Sequence, residues 1–163
     1  MSVTLPRAYA DDYTRPIALI FHHTGCAVLD IDAALHSYTA LGLVERTRVF
    51  DVTSQDVKVV FVHVAPGVYI ELIQGSSASS PVDRYVGAGF YHLCFLVENL
   101  DATVKDLSTR GFSPLRKFES EAFDGNTCRF VVTPENHLIE LAEMAPTDFA
   151  SFFAASRDRA GSY

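Results

Sequence analysis

The chain has 163 residues, 48% of them hydrophobic, which suits one compact domain with a real core; 20 acidic against 13 basic residues leave a net charge of −7. With no basic run, this balance argues against nucleic acid and anionic membrane surfaces as partners, and no apolar run reaches the roughly twenty residues of a membrane span. Cys26, Cys94 and Cys128 form an odd set without CxxC spacing, pointing to reduced thiols and a cytoplasmic location rather than a disulfide framework.

Residues 1–16 carry Arg7, Asp11, Asp12 and Arg15, lack the charged-then-apolar order of a secretion signal, and are expected to form an N-terminal arm. A first module is expected over 17–75. The stretch 17–29 is rich in β-branched and apolar residues and reads as a strand whose His22 and His23 face opposite ways. Asp30 is a good N-cap, and Ile31, Ala34, Leu35, Tyr38 and Leu41 share one helical face before Gly42 ends the helix. Strands follow over 44–51, 57–64 and 68–73, separated by the polar turn TSQD and by Pro66-Gly67. The order is βαβββ.

The Ser- and Gly-rich stretch 76–89 reads as a linker with one short helical turn at 82–86. A second module over 90–144 repeats the order. It has a strand over 90–98, an Asn99 cap, a helix burying Leu100, Val104 and Leu107, then Gly111 and strands over 114–122, 127–133 and 137–144. In the tail, 145–163, Phe149, Phe152 and Phe153 have helical spacing and predict a short docked helix.

The modules superpose without a gap at a shift of 69 positions, the separation of Glu71 in VYIELI from Glu140 in HLIELA. The same shift puts Phe21 on Phe90, His23 on His92, Val28 on Val97, Asp30 on Asn99, Asp32 on Asp101, Gly42 on Gly111 and Phe61 on Phe130. The chain is therefore a duplicated module, and each copy brings one His and one Glu. An ionised carboxylate in an apolar strand is costly unless a positive group meets it. Alternation places His22, Thr24, Cys26 and Val28, with Tyr91, Leu93, Phe95 and Val97, under the helices and turns His23 and His92 to the concave side. Val68, Ile70, Leu72, Ile139 and Leu141 likewise cover the helix side, which turns Glu71 and Glu140 inward.

The expected fold is α+β: two paired βαβββ modules forming a curved mixed sheet around a metal-binding cleft, with helices on the outer face. His23, Glu71, His92 and Glu140 are the expected ligands of one divalent ion (Co, Mn, Ni, Fe, Mg or Zn), with positions left for water or substrate. A single histidine such as His22, His36, His63 or His137 is more often a hydrogen-bonded core residue than a ligand. Matched positions in two copies reverse this for His23 and His92. Cys94 faces the pocket by alternation, as lining rather than nucleophile, because no base is assigned to it.

These residues resemble the vicinal oxygen chelate superfamily, which includes glyoxalase I, methylmalonyl-CoA epimerases, extradiol dioxygenases, fosfomycin-resistance enzymes and bleomycin-binding proteins. The segments HHTGCAVLDIDAAL, LGLVE, SQDVKVVFV, IELIQGSSASSPV, YHLCFLVENLDA and LIEL are most similar to the methylmalonyl-CoA epimerase group. The resemblance places the family's ligand positions on His23, Glu71, His92 and Glu140 and implies a homodimer. Val59 stands where that group has a second catalytic carboxylate, and FDGNT and TPENH replace two of its loops. Arg116, Lys117 and Arg129 are the nearest cations for coenzyme A phosphates.

A metal with two free positions chelates two substrate oxygens and stabilises the charge left when a proton departs from the adjacent carbon, as in an enediolate. The expected activity is that of a divalent-metal-dependent isomerase or epimerase, or a glyoxalase-type lyase, working next to a carbonyl or thioester. Glu140 is the first choice as proton carrier, Glu71 the second and His63 the third. Gln55, Val59, Phe61, His63, Cys94 and Arg129 are expected to contact a small-molecule substrate, an acyl-CoA or a dicarbonyl compound. The rival readings are an Fe(II)-dependent ring-cleaving dioxygenase, which needs only two His and one carboxylate, and a metal-free binding or resistance protein.

Overall fold

A computed structural model describes residues 16–158, so all of the expected arm except Pro16 lies outside the described residues. The first module consists of β1 (Ile20–Ala27), α1 (Ile31–Ala40), β2 (Phe50–Val52), β3 (Val57–Ala65) and β4 (Val68–Gly75). The second has β5 (Phe90–Val97), α2 (Leu100–Thr109), β6 (Ser113–Ser120), β7 (Asn126–Val132) and β8 (Leu138–Glu143), and α3 (Pro146–Ala155) follows. Among the described residues no helix is long and apolar enough to cross a membrane.

All eight strands form one mixed sheet in the order β2-β3-β4-β1-β5-β8-β7-β6. β1 runs parallel to β4, β5 runs parallel to β8, and the antiparallel β1–β5 pair joins the modules at the centre. The sheet curls until its two edges meet. Ser54 Oγ, after β2, donates to the Glu119 carbonyl of β6 at 2.9 Å, and Thr53 Oγ1 donates to Glu121 Oε1 at 3.2 Å.

The duplication is visible at the helix starts. Asp30 accepts the Ala33 N–H at 2.7 Å and Asn99 accepts the Ala102 N–H at 2.9 Å. A second cap comes from the last strand of each module: Gln74 Oε1 accepts the Ile31 N–H and Glu143 Oε2 the Leu100 N–H. These two caps obey the same shift, although one is an amide and the other a carboxylate. Both α1 and α2 end on a glycine in the left-handed region, Gly42 (φ 86°) and Gly111 (φ 89°), where a Cβ would be strained. Leu41 is not part of the buried face; it caps α1 and is 75% exposed.

Two apolar layers fasten the helices to the convex face. Ile31 and Leu35 of α1 pack on Val60, Val62 and Leu72, and Leu100, Val104 and Leu107 of α2 pack on Val131 and Leu141. Side chains of this size stabilise by about 1.5–3 kcal/mol each when fully buried. The concave face holds a third cluster, into which α3 drives Phe149 and Phe153 against Phe50, Phe61 and Tyr69.

The strand expected over 44–51 is interrupted: Glu45 and Thr47 meet His63 and Phe61 of β3 only around an isolated bridge at Arg46, and regular pairing is confined to Phe50–Val52. The ladder is broken because the Phe61 N–H donates to the side-chain Oγ1 of Thr47, and the Arg48 N–H turns to the Ser156 carbonyl at 2.7 Å. The chain after α3 thus anneals to this segment, helped by an Arg46–Asp158 ion pair at 3.1 Å.

Phe149 is 1% exposed and meets the rings of His22, Phe61, Tyr69 and Phe123. Phe149→Ala is expected to lower stability by about 3–5 kcal/mol through the cavity it leaves, measurable by urea unfolding.

Candidate metal centre

Alternation alone does not set the orientation of the first strands. Between Phe21 and His23 the β1–β5 register slips so that His22 is an extra residue on β1; between Gly25 and Cys26 it slips the other way, leaving Tyr91 extra on β5. His22 and Tyr91 are related by the repeat, so each module carries a bulge one residue before its metal-type histidine. A bulge re-aims side chains, and both residues turn to the concave side instead of packing under the helices as alternation predicts. His22 lies among Phe61, Tyr69, Phe123 and Phe149, and Tyr91 stacks on Tyr85 at 4.5 Å.

His23, His92, Glu71 and Glu140 converge at the centre of the sheet. Glu71 sits opposite Phe61 and Glu140 opposite Phe130, again in repeat register. His23 Nε2 is 3.0 Å from His92 Nε2, 3.1 Å from Glu71 Oε2 and 3.3 Å from Glu140 Oε2. His92 Nε2 is 3.3 Å and 3.5 Å from the same two oxygens. All four residues are buried, at 0–5% exposure.

These distances fit one cation. Bonds of about 2.1 Å put ligand atoms about 3.0 Å apart at a right angle and about 3.4 Å apart at a tetrahedral angle. Glu140 Oε2 adds a second sign, since it is buried and, apart from the two imidazoles, meets no hydrogen-bond partner among the described residues. Two nitrogen and two carboxylate donors could hold Mn, Fe, Co, Ni or Zn.

Without a cation the four groups must neutralise one another. Burial alone would lower the His92 pKa, but the carboxylates of Glu140 and Glu71 outweigh it and push it up to about 9. His23 is raised by the same competition, in which burial opposes Glu71 and Glu140. Burial would raise both glutamates, but His23 and His92 hold Glu140 well below the usual carboxylate range and lower Glu71. His22, desolvated and beside His23, is lowered and stays neutral.

The His92 ring occupies space that a side chain at Gly25 would fill, for a Cβ there would lie 2.0 Å from His92 Cε1. The repeat partner of Gly25 is Cys94, which is fully buried beside His23. The duplicated halves therefore differ where the centre is tightest.

A cavity of about 190 Å³ opens beside Glu71, His92 and Glu140. Val59 and Gln55 line it as expected, with Val57, Ile73, Tyr85, Tyr91, Phe118 and Phe130. Other expected contacts lie elsewhere. Phe61 is wholly buried against His22 and His23, and His63 pairs with Glu45 at 3.3 Å near Phe153. Arg129 shares a register position with Leu141 on the helix side and donates to the Leu115 carbonyl, while Lys117 pairs with Asp101 of α2. None of these side chains lines the cavity: Arg129 and Lys117 stand toward the helix side, His63 lies near the end of β3, and Phe61 is sealed in the concave core. Arg84, Tyr85 and Tyr91 were not read from the sequence as lining. The only available signal was the short turn within the linker, now a 3₁₀ turn at Pro81–Tyr85.

Two outcomes are expected. Gly25→Ala should displace His92 and weaken divalent-metal binding by at least about tenfold while circular dichroism stays unchanged; wild-type affinity would count against the proposed seat. The His92 pKa of about 9 exceeds its ordinary 6.5, so the stability it contributes is complete below pH 6.5 and lost as pH rises through 9. Metal-free protein should accordingly melt at falling temperature across that window. Added divalent metal, which needs neutral imidazole, should protect most at its upper end.

Comparisons with known proteins agree with this architecture. Residues 22–131 match the Glyoxalase/Bleomycin resistance protein/Dioxygenase superfamily. Uncharacterized protein YqjC of Bacillus subtilis (strain 168) is 32% identical over 127 residues, covering 74% of this chain and 89% of that protein. Methylmalonyl-CoA epimerase from Mycobacterium tuberculosis superposes with a TM-score of 0.69 at 23% identity, covering 85% of this chain and 97% of that one. A Streptomyces coelicolor methylmalonyl-CoA epimerase variant in complex with 2-nitronate-propionyl-CoA gives a TM-score of 0.66 at 22% identity, covering 77% and 94%. At these identities the two structures share the fold, and the sequence match over the two modules shows the family: the chain belongs to the glyoxalase/bleomycin resistance protein/dioxygenase superfamily.

Proposed function

We propose that the protein is a divalent-metal-dependent isomerase or epimerase, or a glyoxalase-type lyase, that moves a proton on a carbon next to a carbonyl or thioester. The observation that carries this reading is the His23, Glu71, His92 and Glu140 cluster opening on a small, mostly apolar cavity. A bound divalent ion would supply Lewis-acid stabilisation of the negative charge on the substrate oxygens.

The chain's own residues would do the rest. Glu140 is the proton carrier of choice, because it lines the cavity and its Oε2 is held at 3.3 and 3.5 Å from the two imidazoles, less closely than Glu71 at 3.1 and 3.3 Å. Glu71, brought by the other module, is the second carboxylate facing the same space. A single carboxylate can shuttle a proton between neighbouring atoms, and two can remove and return it on different faces. Tyr91, Phe118, Phe130, Val59 and Ile73 would exclude water and strengthen each charge interaction within. With Val59 in the wall, no third carboxylate competes for the role.

The cavity also bears on the substrate. At about 190 Å³ it is smaller than the roughly 300–1,000 Å³ of ordinary small-molecule pockets, so it suits a compact acyl or dicarbonyl-derived group. An adjoining groove of about 490 Å³ shares Tyr85, Tyr91, His92, Leu115 and Leu138 with it and could take a longer tail. Among the described residues, Arg84 in the first cavity is the one Lys or Arg that lines either space, so the phosphates of a coenzyme A tail would find little opposite charge.

Exchange of the carbon-bound proton for solvent deuterium, followed by NMR on 2-branched acyl thioesters and hemithioacetals of dicarbonyls, tests the reading. Metal-loaded protein should catalyse exchange with at least one class, and Glu140→Gln should slow it by about 10²–10⁴-fold. Undiminished exchange in that variant would remove Glu140 from the role. Oxygen uptake with Fe(II) and a catechol, without proton exchange, would point to ring cleavage instead.

A further inference from the structure

Adjacent residues of a regular strand point to opposite faces, so two consecutive histidines cannot normally touch. The β1 bulge removes that restriction. His22 Nδ1 lies 2.8 Å from His23 Nδ1, and both rings are buried, at 2% and 0% exposure. One of the two nitrogens must carry the hydrogen and the other must accept it.

The direction of that bond follows from what surrounds each ring. His23 Nε2 faces His92 and both glutamates, and it can ligate a metal only if it carries no proton. The His23 hydrogen then sits on Nδ1 and is donated to His22 Nδ1. This leaves the His22 hydrogen on Nε2, which has no polar partner among the described residues. Its ring is enclosed by Phe149, Tyr69, Phe123 and Phe61 at centroid distances of 4.0, 4.9, 5.4 and 5.6 Å. A ring N–H can rest on such aromatic faces, where an exposed lone pair would gain nothing.

We infer that His22 is a positioning residue: its Nδ1 fixes the tautomer and ring orientation of His23, so that His23 presents an unprotonated Nε2 to the metal centre. The inference rests on the metal-centre reading above and adds to it an asymmetry between the two histidines. His92 Nδ1 has no hydrogen-bond partner among the described residues, and the residue matching His22 in the second module is Tyr91, which meets His92 ring to ring at 4.7 Å. His23 is held by a hydrogen bond, His92 by the space over Gly25.

His22, His23 and Cys94 also form a compact group of ligand-type atoms. A second ion between the two Nδ1 atoms is disfavoured because His23, once it ligates through Nε2 as a neutral imidazole, carries its one hydrogen on Nδ1 and has no lone pair there to give.

The test uses metal-free wild type, His22→Phe and His22→Asn, titrated with Zn(II) against a chromophoric chelator and, separately, with Co(II) read by its visible spectrum. His22→Phe fills the aromatic enclosure but cannot accept. It should keep the wild-type melting temperature without metal and bind Zn(II) about 10–100-fold more weakly. His22→Asn places an amide oxygen near the lost Nδ1 and should restore affinity to near the wild-type value. Long-range ¹⁵N correlation spectra of the Zn(II)-loaded wild type should show the His23 hydrogen on Nδ1, a readout that stands even if a variant fails to fold.

Equal Zn(II) affinity in wild type and His22→Phe would overturn the inference. So would an Asn variant as weak as the Phe variant with both folded, a His23 hydrogen on Nε2, or a second Zn(II) equivalent lost with His22. Wild type that binds neither ion would instead overturn the metal-centre reading itself, and this inference with it.

Discussion

Two carboxylates in the middle of apolar strands dominate this molecule. Glu71 and Glu140 are almost fully buried, and neither could stay ionised there without compensation. The compensation is two imidazoles within 3.5 Å, each delivered by the first strand of a module. The features around them keep these four groups together: the central β1–β5 pair, the paired bulges, the curl of the sheet and its tied edges. Replacing one member would leave the others buried and uncompensated, a costlier state than an apolar centre.

The duplication builds the centre and its departures from symmetry give it a direction. Phe61 and Phe130 are matched by the repeat, yet Phe61 is sealed among His22, Tyr69, Phe123 and Phe149 while Phe130 lines the open cavity. Phe149 and Phe153 of α3 fill one side of the concave face. The two sides of a symmetric scaffold thereby differ, one packed and one open, and the cluster faces the open side with Glu71, His92 and Glu140.

Much of this was legible in the sequence because it is periodic. The shift relating His23 to His92 and Glu71 to Glu140 needs no geometry, and the caps at Asp30 and Asn99 with glycines at Gly42 and Gly111 mark both helices. Alternation oriented the glutamates correctly because β4 and β8 are regular at those positions. It misplaced His22 and Tyr91 because a one-residue register slip leaves no trace in residue type. The strand expected over 44–51 failed for a related reason, since the Thr47 hydroxyl substitutes for a backbone partner. Arg129 and Lys117 were selected by charge alone, and charge does not reveal the face of a strand.

Gly25 shows what duplication followed by divergence has done. The second half depends on an atom the first half lacks, because the imidazole of His92 lies where any β-carbon at position 25 would be. Cys94, at the corresponding place in the other copy, has no such obligation. The halves are no longer interchangeable at this point: His92 is seated over a residue without a side chain, whereas His23 stands opposite Cys94, which has one, so the two-fold likeness of the strands no longer extends to the way each imidazole is held.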